Sequence, residues 1–276
     1  MKRLAVACFW LHVVALALGV FGIVFAIPRA ETWTNPSDIA FFAWALPRAG
    51  SLGMVTGALA MLVWGASALG WRRTLIFAAI SCAVSAAAEL TGTKTGWPFG
   101  GYEYLTLLGW KIAGRVPYGV PLSWFYMGFA AYVLALGIVP AGRPGRGAIC
   151  VFLGAWLLMA WDLVLDPAMA ALPQIKFWEW HEHGAYFGMP LRNLVGWYAT
   201  GVAFIGLSRL AWREDLEPQE LDLTFPFAVY AVNIVWSMIL AISAGLWTPA
   251  IAAIFLSLAP AALALRPQQR AAADAA

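Results

Sequence analysis

The chain has 276 residues, 62% hydrophobic and only 11% charged, with mean hydropathy +0.76; soluble domains run at ~45–50% apolar and ~25% charged, so a water-soluble globule is excluded. A formal net charge of +3, spread along the chain with no basic run, leaves no footprint for nucleic acid. The composition is that of an integral membrane protein, and long apolar stretches without alternation make helices the spanning element.

A span takes roughly 20 apolar residues. Taken in order, that length predicts helices at 4–27, 51–70, 74–90, 121–140, 148–166, 190–211, 223–244 and 248–265. The expected fold is all-α, a polytopic transmembrane helical bundle of about eight spans; seven stay open, because 223–265 can be divided differently. Residues 1–276 read as one integral membrane domain, with a frayed tail at 267–276. The first apolar segment exceeds the ~7–15-residue core of a cleaved signal peptide and is expected to remain as a helix. The run at 38–47 (DIAFFAWALP) is too short to span and ends at a proline, which predicts an interfacial or re-entrant piece. Residues 213–222 (REDLEPQELD) read as a solvated acidic loop. Cys8, Cys82 and Cys150 are odd in number and lie in apolar runs, as buried small hydrophobes do.

Lys and Arg in the loops set orientation. With the N-terminus cytoplasmic, ten of the 17 basic residues fall inside and seven outside, and the inner loops are the short ones. Both termini are then expected to be cytoplasmic, in a multi-pass protein of the cell membrane.

Charge inside this bundle is the feature that needs a reason, since a charged side chain costs ~2.5–3.5 kcal/mol or more at mid-bilayer. Glu89 closes the apolar run SCAVSAAAEL. Asp162 and Asp166 sit at i and i+4, on one helical face. With two spans between them, Glu89 and Asp166 end helices at the same side of the membrane, next to the helix start that carries Arg192 and Asn193. The long loops 91–120 and 167–189 belong to that side too. The first of these has Gly92, Gly96, Gly100 and Gly101 beside Trp97, Phe99, Tyr102 and Tyr104. Glycines permit close backbone approach, and aromatics supply flat walls with polar tips, so a binding site at a membrane boundary is expected. A helix, aromatic loop, Pro-Leu and helix occur twice, at 89–124 and 162–197.

Each of these residues has a plainer reading. Glu89 and Asp166 can reach headgroup water, and Asp162 can be half of a structural ion pair with Arg192, Lys94, Lys111 or Arg115. Trp97, Trp161, Trp178 and Trp180 serve equally as pocket walls or as an interfacial belt. His12 has apolar neighbours and reads as a core histidine. His181 and His183, with Glu179 and Glu182, have metal-like spacing but no clear further ligands, so no metal is expected. The spacing of Asp162 and Asp166 invites comparison with membrane prenyltransferases that hold magnesium diphosphate, yet a second aspartate-rich cluster is missing. Phosphate-binding and dinucleotide glycine motifs are absent.

Taken together, Glu89, Gly92, Gly96-Trp97-Pro98-Phe99-Gly100, Tyr102, Tyr104, Pro117, Pro121-Leu122, Trp124, Trp161-Asp162, Asp166-Pro167, Gly188-Met189-Pro190, Asn193 and Gly196-Trp197 form an ordered pattern. In that order and spacing, over roughly 85–215, the chain resembles the CruF-type carotenoid hydratases. The resemblance implies hydration of the terminal 1,2 (1′,2′) double bond of an acyclic carotenoid ψ-end, giving a tertiary 1-hydroxy group. Implied partners are a carotenoid, water, membrane lipid and other membrane enzymes of carotenoid synthesis.

Water addition to a trisubstituted alkene needs no redox cofactor, and none is expected. A proton goes to C2, and water captures the tertiary cation at C1. The acid must hold its proton near neutral pH, whereas a free carboxylic acid titrates near ~4; burial and a second carboxylate both raise that value. On this chemistry Asp162, the deeper aspartate, is the expected general acid, and Asp166 or Glu89 holds and deprotonates the water. Trp161, Trp97, Tyr102 and Tyr104 are expected to face the cation, with Phe99, Trp124 and Trp197 in the substrate wall. Asn193 orients the water or a carboxylate; Arg192, if paired with Asp162, favours a base role there. Rival expectations are an end-group cyclase, which adds no water, a proton-coupled transporter of a hydrophobic substrate, and a pigment-binding protein without activity.

Overall fold

The computed structural model describes residues 1–172, 175–212 and 221–266. The acidic stretch expected at 213–222 falls almost wholly outside the described residues, and the tail at 267–276 entirely so.

Among the described residues, eight helical segments are long and apolar enough to cross a membrane: Lys2–Glu31, Pro36–Ala68, Trp71–Thr95, Gly119–Ile138, Arg146–Ala171, Leu191–Trp212, Thr224–Ser243 and Trp247–Leu265. The fold is an all-α bundle, as expected. We label its helices α1 (Lys2–Val20, continued by π and 3-10 turns), α2 (Pro36–Ala68), α3 (Trp71–Thr95), α4 (Gly119–Ile138), α5 (Arg146–Ala171), α6 (Leu191–Trp212), α7 (Thr224–Ser243) and α8 (Trp247–Ala253, continued by a π turn).

Three features differ from the sequence expectation. The run at 38–47 is no separate piece: it is the first third of α2, a helix of 33 residues whose N-cap Asn35 side chain accepts from the Ser37 N–H. Glu89 does not end its helix, because α3 runs on to Thr95 and stops at Gly96, whose φ of 79° gives the left-handed C-cap. Thr91, Thr93 and Thr95 return their hydroxyls to carbonyls one turn back, which lets polar residues extend an apolar helix.

Asp166 does not end its helix either. α5 continues through Pro167 to Ala171. A proline in a helix leaves the carbonyl four residues earlier without its donor; here that carbonyl belongs to Leu163, and the Tyr186 hydroxyl donates to it at 3.0 Å. Burial, then the nearby Asp162, push the Tyr186 hydroxyl up to about 12, so it stays a donor.

α4 and α5 form the centre. α4 (GVPLSWFYMGFAAYVLALGI) is apolar around its whole circumference and buried along most of its length, as a helix enclosed by others must be. A Cβ on Gly154 of α5 would stand 3.0 Å from the Tyr132 backbone of α4, so the small residue lets the two backbones close. α3 and α7 pack on this pair, α6 closes it against α3, and α1 leans on α2.

The two long loops meet. Strand β1 (Tyr102–Tyr104) pairs antiparallel with a strand from the second loop (Trp178–Trp180), Tyr102 opposite Trp180 and Tyr104 opposite Trp178. Between them in sequence, Lys111–Ile112 and Val116–Pro117 form a second short ribbon. Side chains alternate along a strand, so in YEY and WEW the aromatics turn inward and Glu103 and Glu179 turn out.

Candidate active site

The inward face of that ribbon covers one end of a cavity lined by residues of all seven helices from α1 to α7. Its space free of protein atoms is about 1070 Å³, open mouth included, and its wall is overwhelmingly apolar. Glu89, Asp166 and Asn193 break that wall at the ribbon end.

Glu89 is 2% exposed and fully provided with donors. Its Oε2 accepts from the Tyr102 and Tyr104 hydroxyls, the latter at 3.0 Å, and its Oε1 accepts from the Trp124 indole N–H at 2.9 Å. All three partners donate, the arrangement that an acceptor-only carboxylate fills. Burial and then the charge of Glu89 raise both tyrosine hydroxyls well above their usual value, so they remain protonated donors.

The aspartates form a second set. Asn193 donates from Nδ2 to Asp162 Oδ2 at 2.8 Å and to Asp166 Oδ2 at 2.5 Å. The Trp178 N–H donates to Asp166 Oδ1 at 2.5 Å. One amide nitrogen thus bridges an oxygen of each carboxyl and holds the two groups side by side. Asp162 is fully buried, and its Oδ1 has no partner among the described residues.

The aromatic wall is ordered by stacking. Trp124 lies on Trp197 with ring centroids 3.9 Å apart, and Trp197 meets Trp161 edge-on at 5.9 Å. Phe99 is wedged between α3 and α6: a Cβ on Gly92 would stand 2.7 Å from its ring, and one on Gly196 2.6 Å.

The structure therefore gathers Glu89, Asp162, Asp166 and Asn193, with Phe99, Tyr102, Tyr104, Trp124, Trp161 and Trp197 around them. It sets two residues apart. Trp97 is 72% exposed and is not part of the wall, an exposure that suits a membrane-interface belt. Arg192 is ion-paired with Glu182 on the surface, so it is not the counter-charge of Asp162. Asp162 does not line the cavity; Asp166 does.

The histidine cluster turns outward: Glu179 pairs with Lys176 at 3.0 Å, Glu182 with Arg192. Among the described residues no three His, Cys, Asp or Glu side chains gather as a metal site. Cys8, Cys82 and Cys150 are free thiols.

Sequence reasoning missed the far wall. His12, Tyr126, Asn233 and Trp236 form or support it, from helices that carry none of the motif residues except α4. The one available signal was a pair of polar residues, His12 and Asn233, inside otherwise apolar spans.

Comparison with known proteins converges on this region. A family model described as carotenoid biosynthesis protein matches residues 49–260. A bisanhydrobacterioruberin hydratase from Haloarcula japonica is 35% identical over 113 residues, which is 41% of this chain and 37% of that protein. The match thus spans little more than a third of the relative's length. No solved structure matches. The family match covers Glu89, both aspartates, Asn193 and all the aromatics around them, and the motif resemblance to CruF-type carotenoid hydratases points the same way. The chain belongs to the carotenoid biosynthesis protein family.

Proposed function

We propose that this membrane protein hydrates the terminal 1,2 (1′,2′) double bond of an acyclic carotenoid ψ-end, giving a tertiary alcohol at C1. One observation carries this reading: two unlike carboxyl sets meet at one aromatic cavity, an aspartate pair bridged by one asparagine amide and a glutamate held by three donors. The named relative supports water addition to a carotenoid.

In this mechanism the proton leaves Asp166, the pair member on the cavity wall, and bonds to C2. The C1=C2 π electrons form that bond, leaving a tertiary cation at C1. Asn193 donates to both carboxyls, holding Asp162 behind Asp166 and stabilising the carboxylate that forms. The role of general acid, expected for Asp162 from its depth and its carboxylate neighbour, thereby passes to Asp166. Trp124, Trp161 and Trp197 offer π faces to the cation. Water attacks C1 and loses a proton to Glu89, and return of that proton to the aspartate pair restores the protein. Each proton transfer in such a step is worth roughly 10²–10⁴ in rate.

A polyene dissolves in lipid and enters sideways, while water reaches the site from the loop side. The test is expression of the chain in a host that makes acyclic carotenoids, followed by pigment mass analysis. Wild type is expected to yield a pigment heavier by one water. An unchanged mass with well-inserted protein overturns the hydratase, and a new pigment of unchanged mass identifies a cyclase instead.

A further inference from the structure

The far wall of the cavity is a network whose hydrogen-bond directions can be worked out from one end. His12 Nδ1 lies 2.7 Å from the Gly53 carbonyl. A carbonyl only accepts, so this nitrogen carries the proton and Nε2 is left as an acceptor. Nε2 therefore accepts from Asn233 Nδ2 at 3.0 Å, and the same amide nitrogen donates to the Val229 carbonyl at 2.8 Å. Both amide hydrogens are then used, and Asn233 Oδ1 can only accept. Its partner at 3.0 Å is the Tyr126 hydroxyl, which must donate. Tyr126 is left with oxygen lone pairs and no spare proton.

On the same wall, one helical turn from Asn233, Trp236 carries an indole N–H that is buried without a hydrogen-bond partner among the described residues. The neighbouring Trp161 N–H differs, being taken by Ser237 at 3.1 Å. An unmet buried donor costs roughly 1–3 kcal/mol, so a fold that keeps one beside a cavity has an occupant to offset it. Tyr126 offers an acceptor, Trp236 a donor. An O–H group, which is both, matches the two together.

We propose that Trp236 and Tyr126 form a second subsite that binds one hydroxyl-type oxygen, built from side chains other than the carboxyl sets of the same cavity. His12 and Asn233 are positioning residues that fix the direction of the Tyr126 proton. The subsite deepens the carotenoid reading of the cavity and rests on it. The oxygen has two possible sources, a hydroxyl on the substrate or a stored water.

The experiment uses the full chain in lipid nanodiscs, as wild type, Trp236→Phe and Tyr126→Phe. An acyclic carotenoid and its 1-hydroxy derivative are each titrated by their visible absorption band, and product is followed by mass. If the substrate supplies the oxygen, wild type prefers the hydroxylated pigment by about tenfold, and either substitution abolishes that preference. If water supplies it, wild type binds both pigments alike, and each substitution slows hydration of both without changing binding. Variants indistinguishable from wild type in binding and rate for both pigments overturn the subsite. Wild type that binds pigment but forms no product removes the hydratase reading; the subsite then stands only if the binding preference is present and is lost in the variants.

Discussion

Residue by residue, the site separates groups that share a charge type by what surrounds them. Glu89 is surrounded by donors alone, whereas Asp166 shares the Asn193 amide with a second carboxyl, Asp162. Asp166→Asn keeps the shape and removes the transferable proton; product per inserted protein is expected to fall roughly 10²–10⁴-fold, read by pigment mass. Asp162→Asn is expected to fall less, since its neighbour retains the proton and the cavity wall. Equal, wild-type yields from both variants would remove the aspartates from the chemistry. The tyrosines carry a pH signature. Their folded-state values are raised, so the fold holds these protons more tightly than the unfolded chain does. Stability from this source is complete below the unfolded value of ~10 and is lost as pH rises past it. A thermal melt in detergent is expected to show no pH dependence from Tyr102 and Tyr104 near neutral pH and to drop above ~10, with the drop reduced in Tyr104→Phe.

At the level of elements, helices and loops divide the work. α3 and α5 bring the acids, and the paired strands bring the aromatics that hold them. α3 and α6 are clamped on one ring, Phe99, which is 1% exposed and has nowhere to retreat. Gly92→Ala or Gly196→Ala is expected to cost about 1–3 kcal/mol by overpacking, measured as a lowered melting temperature. An unchanged melt in both would mean that the helices are not held at that spacing. The spans were legible because hydropathy sums over a window. Their ends were not. Pro47 and the polar residues after Glu89 looked like breaks, yet α2 and α3 continue through them, and α5 passes Pro167 because Tyr186 meets the freed carbonyl.

Across the whole molecule, eight spans would put both termini on one side of the membrane, and we propose from the basic short loops that this side is the cytoplasm. Reporter fusions at residues 1 and 276 are expected to be active in their cytoplasmic forms only; opposite sides for the two ends would contradict eight spans. In that proposed orientation the carboxyl sets would lie toward the outer face. The doubled motif at 89–124 and 162–197 acquires a structural meaning here, since each copy supplies one strand of the ribbon over the site.

Composition and spacing were enough for the solvent, the helical class, the spans and the carboxyls set inside them. Each of these is a local sum or a local spacing: window hydropathy, the period of a helix, a carboxyl where lipid should be. Folding alone settles which aspartate meets the cavity, that Arg192 pairs with Glu182, and that His12 reaches Asn233 across 221 residues of chain. Those are choices of partner, and a buried polar group takes the partner that packing brings within about 3 Å, a distance no one-dimensional pattern records.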